Sequence, residues 1–253
     1  MKRSFAAIAV GVVSAVVMLS TVACAPAQSA LQRAQEMKSE RLDSSAAWEA
    51  AFVDPSMGAK EDSYTFNGAN YSIESETVSE YGGGASEWIK SVIVRNLTVA
   101  GERLYSYENT QSYTGAQTEP VQSVLHESYY MADETRYKRY FVNSDGAWEM
   151  TTVSSLGIDL IATTQHTGRL TDYKDAYEEF TWSDEQQGYC KEVEITGFLG
   201  TPLTATLTLK FQSGRLAAML ISHSKAVSGT AQASVTVGVV ITYGGRSVKL
   251  PTV

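Results

Sequence analysis

Beyond residue 70 the chain is patterned in twos. In "PLTATLTLKF" the apolar residues Leu203, Ala205, Leu207 and Leu209 alternate with polar ones, and in "ASVTVGVVITY" Val235, Val237, Val239 and Ile241 recur at the same spacing. A period of two sends successive side chains to opposite faces of a strand, so each run buries one face and offers the other to water. The same signature recurs in "SYTFNGANYSIESETV", "IKSVIVRNLTVAGERLYSYENTQSY", "SVLHESYYM", "RYKRYFVNSDGAWEMTTV" and "YEEFTWSDEQQGYCKEVEI". Turn signals separate the runs. Asn67-Gly68 predicts a hairpin whose arms carry Tyr64 and Phe66 against Tyr71 and Ile73, Ala100-Gly101 predicts a second turn, and Asp145-Gly146 a third. Many short strands with regular punctuation specify a mostly antiparallel β domain.

Helical spacing is confined to the start. "SALQRAQEMKSERLDSSAAWEAAF", residues 29–52, is rich in good helix formers, with Leu31, Ala34, Met37 and Leu42 on one stripe. Asp43 to Ser45 offers a cap for a second helix, and Pro55 ends it, so one or two helices are expected. "EYGGGASEW" reads as a flexible break. "SSLGIDLIATTQHTGRLTDYKDAY" interrupts the strand pattern and is expected as a short helix or a loop lying across the sheet. No repeat of the propeller or solenoid kind occurs, so a single domain is expected.

The first residues address the chain. Lys2 and Arg3 precede the uncharged apolar run of "SFAAIAVGVVSAVVML", followed at once by small residues, as in a secretory signal; the run is somewhat short for a membrane span. Two cleavage modes compete. "APA", Ala25 to Ala27, is an A-x-A-like site, whereas "TVAC" resembles the lipobox of bacterial lipoproteins, with Ala23 and Cys24 at its most restrictive positions and Thr21 where Leu is usual. The chain has only two cysteines. Lipidation of Cys24 accounts for the first, and leaves Cys190 as a small buried hydrophobe. Residues 1–23 are thus expected as a lipoprotein signal peptide, 24–29 as a lipid-anchored tether and 30–253 as the domain. Such a protein is exported and held on the outer face of a bacterial cell membrane.

A formal net charge of −8, with no Lys/Arg run, disfavours nucleic acid and anionic headgroups as partners. Motifs for chemistry are sparse. His126, His166 and His223 lack metal-ligand spacing, and there is no P-loop, G-x-G-x-x-G or G-x-S-x-G. "YGGGAS" at 81–86 reads as a loop, not a phosphate cradle. His126 and Glu127, or the carboxylates of "YEEF", should diverge as neighbours on a strand. The expectation is a non-enzymatic, cofactor-free monomer, with a hydrolase using histidine or carboxylates as a further alternative.

Aromatic residues carry more: Tyr105/Tyr107, Tyr129/Tyr130, Tyr137/Tyr140/Phe141, Trp148 and Trp182 lie on alternating strands. Such rings build a core or line a ligand cavity on a curved sheet. The order of segments resembles the LolA-like lipoprotein-localisation superfamily, especially mycobacterial surface lipoproteins of the LppX and LprG type. The resemblance is carried by the arm "YKRYFVNSDGAWEMTTV", by "YEEFTWSDEQQGY" after the interruption, by "LTLKFQSGRLAAMLI", and best by the ending from Ile241-Thr242-Tyr243-Gly244 to Leu250-Pro251. It implies an unclosed antiparallel half-barrel wrapping one or more helices, with a concave apolar face that receives acyl chains. No binding residue carries over from the family one by one; the cavity-lining candidates, taken from the apolar and aromatic strand positions, are Ile93, Leu97, Tyr129, Phe141, Trp148, Leu203, Leu207, Val237 and Val239. The expected function is an envelope lipoprotein that binds or carries a lipid or other amphiphile. The alternative is a surface interaction module for a protein or glycan, using exposed Tyr/Trp and the loop around 80–87.

Overall fold

The computed structural model describes residues 28–52, 69–82, 88–115, 117–196, 202–228 and 231–253, with backbone alone at 224–228 and 231–232. The signal segment, Cys24 and the first arm and turn of the Asn67-Gly68 hairpin lie outside the described residues.

Eleven strands form one antiparallel sheet. The first meander comprises β1 (Asn70–Gly82), β2 (Ile89–Ala100), β3 (Arg103–Thr114), β4 (Gln122–Asp133), β5 (Arg136–Val142) and β6 (Trp148–Val153). The second comprises β9 (Thr181–Ser183), β10 (Gly188–Thr196), β11 (Pro202–Gln212), β12 (Arg215–Ser228) and β13 (Ala231–Tyr243). Between them a crossing segment holds a two-stranded ribbon, β7 (Ala162–Thr164) with β8 (Gly168–Arg169), and a 3-10 turn at Tyr177–Glu179. The sheet order is β6-β5-β4-β3-β2-β1-β13-β12-β11-β10-β9, so the meanders join only where β1 pairs with β13, and the sheet is not closed.

The turns follow their sequence signals. Gly101 and Gly146 adopt φ of +61° and +78°, a left-handed backbone that glycine enters without strain. Asn143 Oδ1 accepts bonds from the Asp145 and Ala147 amides, both at 2.9 Å, and so fixes the β5–β6 hairpin. The expected pairing of Tyr71 and Ile73 with an arm at 64–66 is replaced. Both edges of β1 are occupied, Tyr71 lying between Tyr243 and Val99 and Ile73 between Ile241 and Leu97.

Register divides the side chains into two faces. The core face carries Tyr71 and Ile73 of β1, Leu97 and Val99 of β2, Leu104 of β3, Tyr130 of β4, and the odd-numbered apolar residues of β11 and β13. Helix α2 (Ser45–Phe52) packs here, capped by Ser44 Oγ, which accepts from the Ala47 amide at 3.2 Å. Trp48 is fully buried, with the rings of Phe52, Tyr177, Phe180, Tyr189 and Phe211 all within 5.6 Å, and its Nε1–H donates to the Tyr173 carbonyl at 2.9 Å.

Helix α1 (Ala30–Glu36) lies on the opposite, back face, packing Leu31, Ala34 and Met37 against Ala218, Leu220 and Val240. Its close approach depends on Gly238, where any Cβ would collide with the Cα of Leu31. The buried Lys210 ends the helix: its Nζ donates to the carbonyls of Gln35 and Met37 at 3.0 and 2.7 Å. A cation on the last helical carbonyls complements the helix dipole and compensates the burial that lowers the lysine's affinity for its proton. Residues 37–44 carry the chain between faces around one end of β10 and β11, where the Ser39 and Glu40 amides donate to Gln187 and Phe211.

Candidate functional site

Strand β2 takes the polar end of the core face. Across β1, β2, β3 and β4, register aligns Ser75, Arg95, Glu108 and His126 in one row on that face. Arg95 Nε donates to Glu108 Oε2 at 2.5 Å, both side chains being about one-third exposed. Among the described residues the terminal nitrogens of Arg95 have no hydrogen-bond partner, which leaves most of the guanidinium's five donors for water or a ligand.

The crossing segment roofs the Ser75, Arg95 and Glu108 part of this row, while His126 is exposed. Leu160 and Leu170 are buried in the main core, and the Tyr71 hydroxyl donates to the Leu160 carbonyl at 2.8 Å. Burial, with the nearby Asp159 carboxylate adding to it, raises the Tyr71 pKa well above that of an ordinary tyrosine, so the phenol stays a donor. Asp159 is spent on structure: it accepts from Arg169 Nε at 2.7 Å and from the Ile161 amide at 3.1 Å. Thr163, Thr164 and Thr167 bond one another through their hydroxyls and stiffen the β7–β8 ribbon.

Between roof and sheet is a cavity of about 440 Å³, within the range of small-molecule sites. Its floor is Ile73, Ser75, Arg95, Leu97, Ser106 and Glu108, and its roof is Gly157, Ile158, Asp159 and Ala162 to Gln165. Ile73, Leu97 and Ile158 form an apolar wall, while the ion pair and the hydroxyls form a polar one. His166 stands beside it, its ring at 3.1 Å from Gln165 Nε2. Burial first, and then the Arg95 charge, lower its pKa, so the ring is neutral near pH 7. The site can hold a molecule with a short apolar part and an anionic or hydrogen-bonding head.

Of the sequence-derived candidates, Leu97 lines this cavity. Leu203, Leu207, Val237 and Val239 share its face but belong to the packed core, the last three fully buried, in the same buried cluster as Trp48, Leu170 and Phe180. Ile93 and Phe141 lie on the core face of β2 and β5, and Phe141 lies under the Arg139 guanidinium at 5.3 Å. Tyr129 and Trp148 are corrected: register puts both on the back face, where their rings meet at 5.4 Å. In "SYYM" the inward ring is Tyr130, opposite Leu104.

His126 and Glu127 do diverge; Glu127 turns to the back face and accepts from the Tyr129 hydroxyl at 3.0 Å. The "YEEF" pair is a correction, since it occupies a 3-10 turn rather than a strand, and Glu179 pairs with Lys191. His223 is buried at the far end of the core with Nδ1 on the Thr204 carbonyl. Among the described residues no hydrogen bond joins any of the three histidines to a carboxylate. Cys190 is a partly buried free thiol 3.4 Å from the Thr208 hydroxyl. The Arg95–Glu108 site and its roof were missed by sequence reasoning; the one signal was the interruption of the strand pattern at 154–177. No family model matches this chain, and no curated protein matches it.

Proposed function

We propose that this chain is an exported lipoprotein, anchored through Cys24 to the outer face of a bacterial membrane, that binds a small anionic amphiphile in the cavity under the crossing segment. The sheet is read as a half-barrel around α2, with the ligand at its flank rather than its centre. The single observation that supports this reading is the cavity of about 440 Å³ that sets Arg95 beside an apolar wall of Ile73, Leu97 and Ile158. A carboxylate or phosphate suits the open end of the guanidinium, in a charge-assisted and bidentate contact. The apolar part of the ligand gains about 0.8 kcal/mol for each buried CH₂. The packed core over Leu207, Val237 and Val239 assigns no room to a long acyl chain there.

The test is native mass spectrometry of the protein released from bacterial membranes and freed of detergent. A retained mass that extracts into organic solvent is expected, reduced at least tenfold in occupancy by Arg95→Met and lost in Ala162→Trp, which fills the cavity from its roof. In Arg95→Met the His166 ring should also titrate higher by NMR, because a neighbouring positive charge is gone. A wild-type protein that stays ligand-free after incubation with membrane lipid extract, or an Ala162→Trp variant that keeps its ligand, overturns the reading.

A further inference from the structure

We propose that the back face of β2 to β6 docks on the same bilayer that holds the Cys24 anchor; this rests on the anchored reading above, but not on the cavity. On that face Tyr105, Tyr129 and Trp148 form a row in tilted and edge-to-face contact, with ring centroids 4.8 and 5.4 Å apart, and the Glu127 carboxylate beside them accepts from the Tyr129 hydroxyl at 3.0 Å. Around them Leu125, Met150 and Val94 are 57%, 44% and 37% exposed. Tyrosine and tryptophan, apolar in body and polar at the tip, settle at the level of lipid headgroups, and exposed aliphatic residues beside them add buried area there.

The path of the chain picks the occupant. Helix α1 lies on this same back face, and its N-terminal end stands over β1, where the Leu31 amide reaches Glu76 at 3.4 Å. Glu76 is paired in register with Val94, at the border of the aromatic patch. Cys24 precedes the Ser29 cap by residues 25–28, so an extended tether spans no more than about 18 Å. From β1 to the middle of the patch on β4 is three strand spacings, or roughly 14 Å. A lipid on Cys24 therefore brings the patch to the membrane plane. The chain is acidic, with a formal net charge of −8 before Lys2 and Arg3 are removed with the signal, so the contact draws on ring and aliphatic burial and gains nothing from anionic lipid. Docked in this way, the cavity on the core face looks away from the bilayer.

The test uses the full-length lipidated protein on phosphatidylcholine vesicles, with Trp148 emission read as the difference between wild type and Trp148→Phe. Phosphatidylcholine brominated high on its acyl chains should quench that component by half or more, with no increase when phosphatidylglycerol is added. Leu125→Glu with Met150→Glu should abolish the quenching while the protein still floats with vesicles, and Leu125→Glu alone, at an exposed position, should halve it. Flotation with a diacylglyceryl mass on Cys24 but no quenching overturns the docking face and leaves the anchor standing. Absence of that mass, with no flotation, overturns the anchor and the docking together. A dimer in solution that the glutamate variants dissolve assigns the face to a second copy and overturns the proposal.

Discussion

Trp48 is the largest fully buried side chain among the described residues. It comes from an eight-residue helix, too short to be stable alone, and it is the ring around which Phe52, Phe180, Tyr189 and Phe211 are arranged. Its one polar atom is satisfied by the Tyr173 carbonyl, so the helix, the second meander and the crossing segment meet at one residue. Trp48→Ala should cost about 3–5 kcal/mol, the usual loss for emptying a buried aromatic site. Urea denaturation should show this as a lower midpoint with an unchanged slope. A loss below about 1 kcal/mol would mean that the surrounding rings collapse into the space or that the site is not packed as described.

At the scale of elements, the two helices are held by different devices. α2 is held by ring packing, whereas α1 is seated by the absence of a side chain at Gly238 and by the Lys210 clamp on its last carbonyls. Gly238→Val should lift α1 from the back face, because the new Cβ meets backbone, including the Leu31 amide nitrogen at 2.9 Å, rather than a flexible tip. Amide exchange in residues 30–37 should then rise at least tenfold, while β10 and β11 stay protected; unchanged exchange would show that the helix rides over the substitution.

These devices also mark where the sequence was legible. Alternation in "TATLTLKF" and "SVTVGVV" named the inward residues of β11 and β13 correctly, because a slip of one residue would expose every one of them. The adjacent rings of "SYYM" gave no such leverage, since Tyr129 and Tyr130 are equally apolar and only pairing with Leu104 decides between them. The cavity roof was harder still. Residues 154–169 are positioned by contacts such as Tyr71 with Leu160, 89 positions apart in the chain, and no local pattern encodes those. Arg95 and Glu108 looked like ordinary polar positions on half-buried strands until register set them side by side.

At the scale of the molecule, β13 is the last strand in sequence but a central one in space, lying between β1 and β12. The sheet therefore becomes continuous only when the end of the chain arrives: its other pairings join strands adjacent in sequence, whereas β1 with β13 spans most of the chain, and an all-β domain closed by such a non-local pairing folds in milliseconds to seconds rather than microseconds. A chain ending at residue 230 should lose amide protection in β1 and β12 alike. Persistent protection of β1 to β3 in that truncation would show that the first meander folds by itself. The join at β1 and β13 also lies directly beneath α1, with Arg33 reaching Glu74 at 2.6 Å. A pull delivered through the N-terminus thus enters the middle of the sheet, where strands are bonded on both sides. It must strip the helix sideways before it can load any strand in shear, so under the anchoring proposed above α1 would work as a strain relief.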